Sequence, residues 1–224
     1  MRTLENELTD YLGSYITENK RTLIDRVLQS RTRFITVVME DIHQSHNASA
    51  IIRTAECLGL QEVHVIEQQS KYGTNKKVLK GSYKWIDITR HKTKGTNNSQ
   101  ACFEKLKADG YQLLVTMPSA DAISLPDFSV TNKIALVMGN EGEGVSQAAL
   151  EAADYRIHIP MYGFTESFNV SVSAAICLHT LVGKLRASSL AWPLSEGEKQ
   201  AIKLRWYRKC VRHAEILEKR FSPK

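Results

Sequence analysis

Two loops in the second half of this 224-residue chain constrain its fold more than any other feature. An apolar run, Ile134–Met138, enters the glycine loop GNEGEG at Gly139–Gly144, and a helix-like run, Val145–Ala153, leaves it. A second short strand, Tyr155–Ile159, meets Pro160 and the loop of IPMYGFTESFNV, after which a long apolar helix starts near Asn169. Consecutive strand–loop–helix units put both loops at one edge of a sheet, where α/β proteins bind ligands.

The remaining sequence continues the alternation. Phe34–Met39 has the composition of a buried strand, and Asn47 stands as the N-cap of a helix running through Leu58 and closed by Gly59. Glu62–Ile66, Trp85–Thr89 and Tyr111–Thr116 read as strands and Ser99–Ala108 as a helix, while Gln68–Ser82 is a polar, lysine-rich loop with a short helix. The predicted architecture is α/β, a mostly parallel sheet with helices on both faces. Residues 3–30 carry leucines at helical spacing, and Ser195–Phe221 opens with the capping signal SEGE and continues as a basic helix. The expected organisation is an N-terminal helical extension (1–30), a catalytic body (31–190) and a basic C-terminal helical extension (191–224).

Charge adds a functional hint. The net +6 is concentrated in residues 183–224 and 71–94, each of which is strongly cationic, so the rest of the chain is net acidic. That distribution suits an acidic body with polyanion-binding surfaces; a solvated helix face and a lysine-rich loop are the plain alternative. Cys57, Cys102, Cys177 and Cys210 lie far apart without a CxxC pair, so reduced thiols and no metal site are expected, and His43 and His46 read as surface histidines. The charged N-terminus and the lack of any stretch approaching a membrane span predict a cytoplasmic protein with no membrane association.

The glycine loop lacks the GK[ST] of nucleotide triphosphatases, and its order GxxGxG carries two glutamates that would repel a pyrophosphate. A cationic ligand with an amino-acid end and a nucleoside end fits better, and S-adenosyl-L-methionine is one.

The segments NASAIIRTAECLG (Asn47–Gly59), ALVMGNEGEGVS (Ala135–Ser146) and IPMYGFTESFNVSVSAAI (Ile159–Ile176) resemble, in order and spacing, the three motifs of the SpoU branch of SPOUT RNA 2′-O-methyltransferases. The flanking helices resemble those of the TrmH subgroup, which methylates guanosine-18 in the tRNA D-loop. The resemblance implies a SPOUT fold with a C-terminal deep trefoil knot, S-adenosyl-L-methionine as cofactor and a homodimer with the active site near the subunit interface.

It also implies roles for particular residues. Arg53, Asn47, Glu141, Ser167 and Asn169 fall at catalytic positions, with Asn47 and Asn169 also suited to capping helices. Because a guanidinium keeps its proton far above neutral pH, Arg53 is better suited to clamping a phosphate than to acting as a literal base. Thr116, Gly139, Ile159, Met161 and Phe168 fall at cofactor-contacting positions. Phe168 stands where many relatives have leucine.

RNA binding would fall to Lys203, Arg205, Arg208, Lys209 and Arg212 on the basic helix, with Lys76, Lys77, Lys80 and Lys84 as a second surface; Trp206 is expected to pack that helix. The expected activity is 2′-O-methylation of guanosine-18 in tRNA. Action on ribosomal RNA or another tRNA position, and a non-catalytic RNA-binding protein on this fold, are the alternatives.

Overall fold

The computed structural model describes residues 4–119 and 121–222; the outermost residues of both anticipated extensions lie outside the described residues. Two compact units are present, one formed by Met1–Thr32 with Pro193–Lys224 and the other by Arg33–Trp192.

The larger unit is built on seven parallel strands: β1 (Ile35–Glu40), β2 (Glu62–Ile66), β3 (Asp87–His91), β4 (Gln112–Thr116), β5 (Ile123–Ser124), β6 (Ile134–Met138) and β7 (Tyr155–His158). Their order across the sheet is β3-β2-β1-β6-β4-β7-β5. Strands β1 and β6 are buried along their whole lengths, as the unbroken apolar runs require of central parallel strands. The helices are α3 (Ser45–Cys57), α4 (Lys76–Leu79), α5 (Asn98–Ala108), α6 (Gln147–Ala152) and α7 (Val170–Ala187). One face of the sheet packs Ile51, Ile52 and Ala55 of α3 with Cys177, Leu178 and Leu181 of α7. The other packs Cys102, Phe103 and Leu106 of α5 with Ala149 of α6.

Several expectations are corrected. The third strand sits at Asp87–His91, two residues beyond the expected Trp85–Thr89, because its pairing with β2 sets Glu62 opposite Asp87. Strands β6 and β7 open at one edge of the sheet, as expected, with β4 between them, so that its end joins the two loops in one cleft. Asn47 does not cap α3. The helix begins at Ser45 with Gln44 at the N-cap, which leaves the Asn47 side chain free to act elsewhere. Helix α7, with 18 residues, is long and apolar enough to cross a membrane by length and composition, contrary to expectation. Its Ala174, Cys177, Leu178, Leu181 and Leu185 are instead buried in the core.

The smaller unit holds α1 (Leu4–Gly13), α2 (Glu18–Leu28), α8 (Glu196–Cys210) and α9 (Ala214–Arg220). Ser195 and Glu198 form a reciprocal capping box at α8. The single basic helix expected over Ser195–Phe221 is broken: His213 adopts φ +57°, and α9 starts afresh after it. Trp206 is 2% exposed and stacks against the Arg31 guanidinium, so it packs the helix.

Beneath α5, His64 is almost fully buried, and burial lowers its pKa from 6.5 to about 4 despite the nearby Glu62 carboxylate. The unfolded chain therefore binds a proton below pH 6.5 that the native chain refuses until about pH 4. Stability should fall as pH drops through that window, by on the order of 3 kcal/mol. Urea unfolding with a chelator present should show this slope, and His64→Gln should flatten it; an equal slope in the variant would assign it to other groups.

Candidate active site

The carboxyl ends of β6, β4 and β7 open into a cleft of about 620 Å³. Its floor is the GNEGEG loop, whose shape is set by backbone approach. Asn140 and Gly144 exchange backbone hydrogen bonds of 2.9 and 3.1 Å, and Gly144 has φ +74°. A Cβ on Gly139 would stand 2.1 Å from the Gly144 carbonyl, so only glycine fits there. The Asn140 carboxamide oxygen accepts from the backbone N–H of Gly142 (2.9 Å) and Glu143 (2.7 Å), closing the turn.

Across the loop runs a chain of side chains from three separate motifs. Asn169 Nδ2 donates to Asn47 Oδ1 at 3.2 Å, and Asn47 Nδ2 donates to Glu141 Oε1 at 2.7 Å. The Asn169 Oδ1 also accepts from the Ser171 backbone at 2.9 Å, so capping α7 and holding Asn47 coexist in one side chain. Partial burial pushes the Glu141 carboxyl up, but hydrogen bonds from Asn47 and from backbone N–H groups including His43 outweigh it, and the pKa lies below the ordinary glutamate value. Glu141 is thus ionised at neutral pH. With Glu143 and Glu166 also bordering the cleft, the site suits a cationic ligand and disfavours a pyrophosphate.

Thr116, Gly139, Ile159, Met161 and Phe168 all border this cleft, as do Glu141, Ser167 and Asn169. Thr116 Oγ1 donates to the Val137 carbonyl at 3.3 Å, which fixes the end of β4. Arg53 is not among these residues. At about 100° per residue it lies roughly 120° around α3 from Asn47, exposed, with Nη1 3.5 Å from the Val78 carbonyl.

Two supporting residues escaped the sequence reading. Asn140 sits inside the glycine motif, and its turn-forming chemistry was available as a signal. Glu40, 3% exposed, accepts from the Ser146 N–H (2.9 Å), Ser146 Oγ (2.7 Å) and Ser99 Oγ (2.5 Å), and so ties the exit of the loop to β1. A carboxylate closing the apolar run FITVVM was its only trace.

Residues 34–179 match the model of the SpoU rRNA methylase family. The chain belongs to the SpoU methylase family. This SpoU methylase is 42% identical over 207 residues, covering 92% of its own length and 93% of the relative, to the tRNA (guanosine(18)-2′-O)-methyltransferase of Borreliella burgdorferi. Its fold matches the crystal structure of the A. aeolicus TrmH/SpoU tRNA-modifying enzyme with a TM-score of 0.77 and 30% identity, over 87% of this chain and 98% of that one. It also matches the SpoU methyltransferase AviRb of Streptomyces viridochromogenes in complex with AdoMet, at a TM-score of 0.60 and 27% identity over 73% and 65% of the two chains.

The candidate RNA-binding cations of the methylase differ in setting: four lie on α8, but Arg212, expected on the same helix, falls in the break before α9. Lys203 Nζ is 2.6 Å from Asp25, and Arg208 Nε is 2.7 Å from Glu218. Arg205 is half-buried, while Lys209 and Arg212 are exposed. Alanine at Arg208, Lys209 and Arg212 should weaken tRNA binding and reduce its salt slope by about 2–3, roughly 0.7–0.9 per lost phosphate contact. An unchanged slope in filter-binding titrations would move the RNA surface to residues 71–94.

Proposed function

We propose that this chain is an S-adenosyl-L-methionine-dependent methyltransferase acting on the ribose 2′-oxygen of guanosine-18 in the tRNA D-loop, as a homodimer. The observation that carries the reading is the Asn169–Asn47–Glu141 chain laid across a glycine loop that tolerates no side chain at Gly139. The relative from Borreliella burgdorferi, matched along nearly its whole length, supports guanosine-18 as the target.

Thr116, Gly139, Ile159, Met161 and Phe168 would hold the cofactor, which supplies an electrophilic methyl carbon on a sulfonium. The bare approach at Gly139 and the ionised Glu141 fit such a ligand. Asn47, Glu141, Ser167 and Asn169 orient the ribose, so that its 2′-oxygen lies in line with the methyl carbon and away from water. Arg53 clamps the adjacent phosphate, and the 2′-hydroxyl proton leaves to a phosphate oxygen or to water.

The position of Arg53 outside the cleft of its own chain supports its being supplied to the partner subunit's cleft. Arg53→Ala should lower transfer by about 10²–10³-fold while sparing cofactor binding. Co-expressing Arg53→Ala with Gly139→Ala, each strongly impaired alone, should restore activity in mixed dimers. No restoration would put Arg53 to work within its own subunit.

The decisive assay is transfer of labelled methyl to unmodified tRNA transcripts, followed by mapping of the modified nucleotide. Label at the guanosine-18 2′-oxygen is expected; label on ribosomal RNA alone would overturn the substrate. Cofactor binding without transfer to any RNA would leave a non-catalytic binding protein.

A further inference from the structure

Away from the cleft, on the opposite face of α5 from solvent, three metal-ligating side chains converge that no motif of the sequence connects. The parallel register of β2 and β3 sets His64 opposite Thr89 and Ile66 opposite His91, so both histidines project from one face of the sheet. Helix α5 covers that face and brings Cys102, fully buried, against them. One ligand atom from each of His64, His91 and Cys102 lies within 4.8 Å of the others.

We propose that His64, His91 and Cys102 form a structural binding site for a divalent transition metal of the zinc class. The geometry is close to what the ion needs. Zinc bonds of about 2.0–2.1 Å to nitrogen and 2.3 Å to sulfur set the edges of a tetrahedron at roughly 3.3–3.6 Å. His64 Nδ1 and His91 Nε2 are already 3.2 Å apart. The thiol needs only a small side-chain adjustment to complete the face, and water takes the fourth position. Two imidazoles and a thiolate select zinc or cobalt over magnesium or calcium.

The surroundings fit as well. His64 Nε2 is buried and has no hydrogen-bond partner, and Glu62 Oε1 stands 3.8 Å from it. With Nδ1 on the metal, Nε2–H faces that carboxylate, the arrangement that orients metal-bound histidines. Cys102 gives up its thiol proton to solvent as the sulfur–metal bond forms, so binding releases a proton. His91 is half-buried and provides the way in. None of the three borders the cleft, so the ion would pin β3 and α5 to the sheet and take no part in methyl transfer.

The test uses the full chain, stripped by chelator and titrated with cobalt(II). A sulfur-to-cobalt charge-transfer band saturating at one ion per chain, displaced by zinc and accompanied by a rise in Tm, is expected. Cys102→Ser should remove that band. His91→Ala, at a partly exposed position, should weaken cobalt binding about 100-fold. Absence of the band at stoichiometric cobalt, or a band that survives both substitutions, would overturn the proposal. Circular dichroism of each variant separates lost ligation from lost folding.

Discussion

Gly139→Ala is expected to weaken cofactor binding and methyl transfer together, by up to about two orders of magnitude, while lowering the unfolding transition by only a few degrees. The added Cβ would meet the carbonyl carbon and oxygen of Gly144 at 2.1 Å and the Val145 nitrogen at 2.3 Å. These are backbone atoms, so no side-chain rotation relieves the overlap. The paired Asn140–Gly144 backbone must open instead, and the turn held by the Asn140 carboxamide opens with it. Overpacking of this kind costs about 1–3 kcal/mol where neighbours yield, which corresponds to a loss of about fivefold to 150-fold in affinity. Because the strain falls in a loop at the end of β6 and not in the buried strand, Tm should fall by only a few degrees. Isothermal titration with S-adenosyl-L-methionine reads the effect, and wild-type affinity in the variant would mean that the loop is not the cofactor floor.

The second large effect is expected from Asn47→Asp, a change of one atom in shape and of one charge in chemistry. Asn47 donates to Glu141 at 2.7 Å and accepts from Asn169 at 3.2 Å. An aspartate keeps the second contact and turns the first into two carboxylates in contact. Both cannot stay ionised at that distance, so one pKa rises strongly and the pair takes up a proton. Above that raised pKa the deprotonated pair would push Glu141 off the ribose side of the cleft, and transfer should fall by about 10²–10³-fold. On acidification the shared proton restores a donor between the two groups, so part of the activity should return. A variant as inactive at low pH as at high pH would show that position 47 acts through shape alone. Asn47→Ala, which removes the donor without adding charge, should be less damaging at pH 8 and show no recovery on acidification.

These two residues also show how far a sequence carries. A tight glycine loop is legible in GNEGEG, between a buried strand and a helix, while the need for glycine at position 139 itself comes from the approach of the Gly144 carbonyl. The helical and strand periods, the capping box at Ser195–Glu198 and the left-handed Gly59 after α3 are local in the same way. Each depends on contacts within about one turn of chain, which is the range over which residue order itself encodes geometry. The role expected for Asn47 as a cap was a local inference of this kind. It failed because α3 starts three residues earlier, with Gln44 at its N-cap.

What residue order alone determined is therefore the parts: alternating strands and helices, a glycine-rich loop between a strand and a helix, and three motifs whose wording marks the family. Tertiary structure decided which parts meet. The placement of β4 between β6 and β7 merged two loops into one cleft, and a hydrogen bond joined Asn47 to a carboxylate 94 residues away. The azimuth of α3 turned Arg53 outward, and the register of β2 on β3 carried His64 and His91 to one spot beneath Cys102. Strand order, register and helix rotation are fixed by burying apolar faces against one another. That free energy is spread over the whole core, and no short stretch of sequence records it.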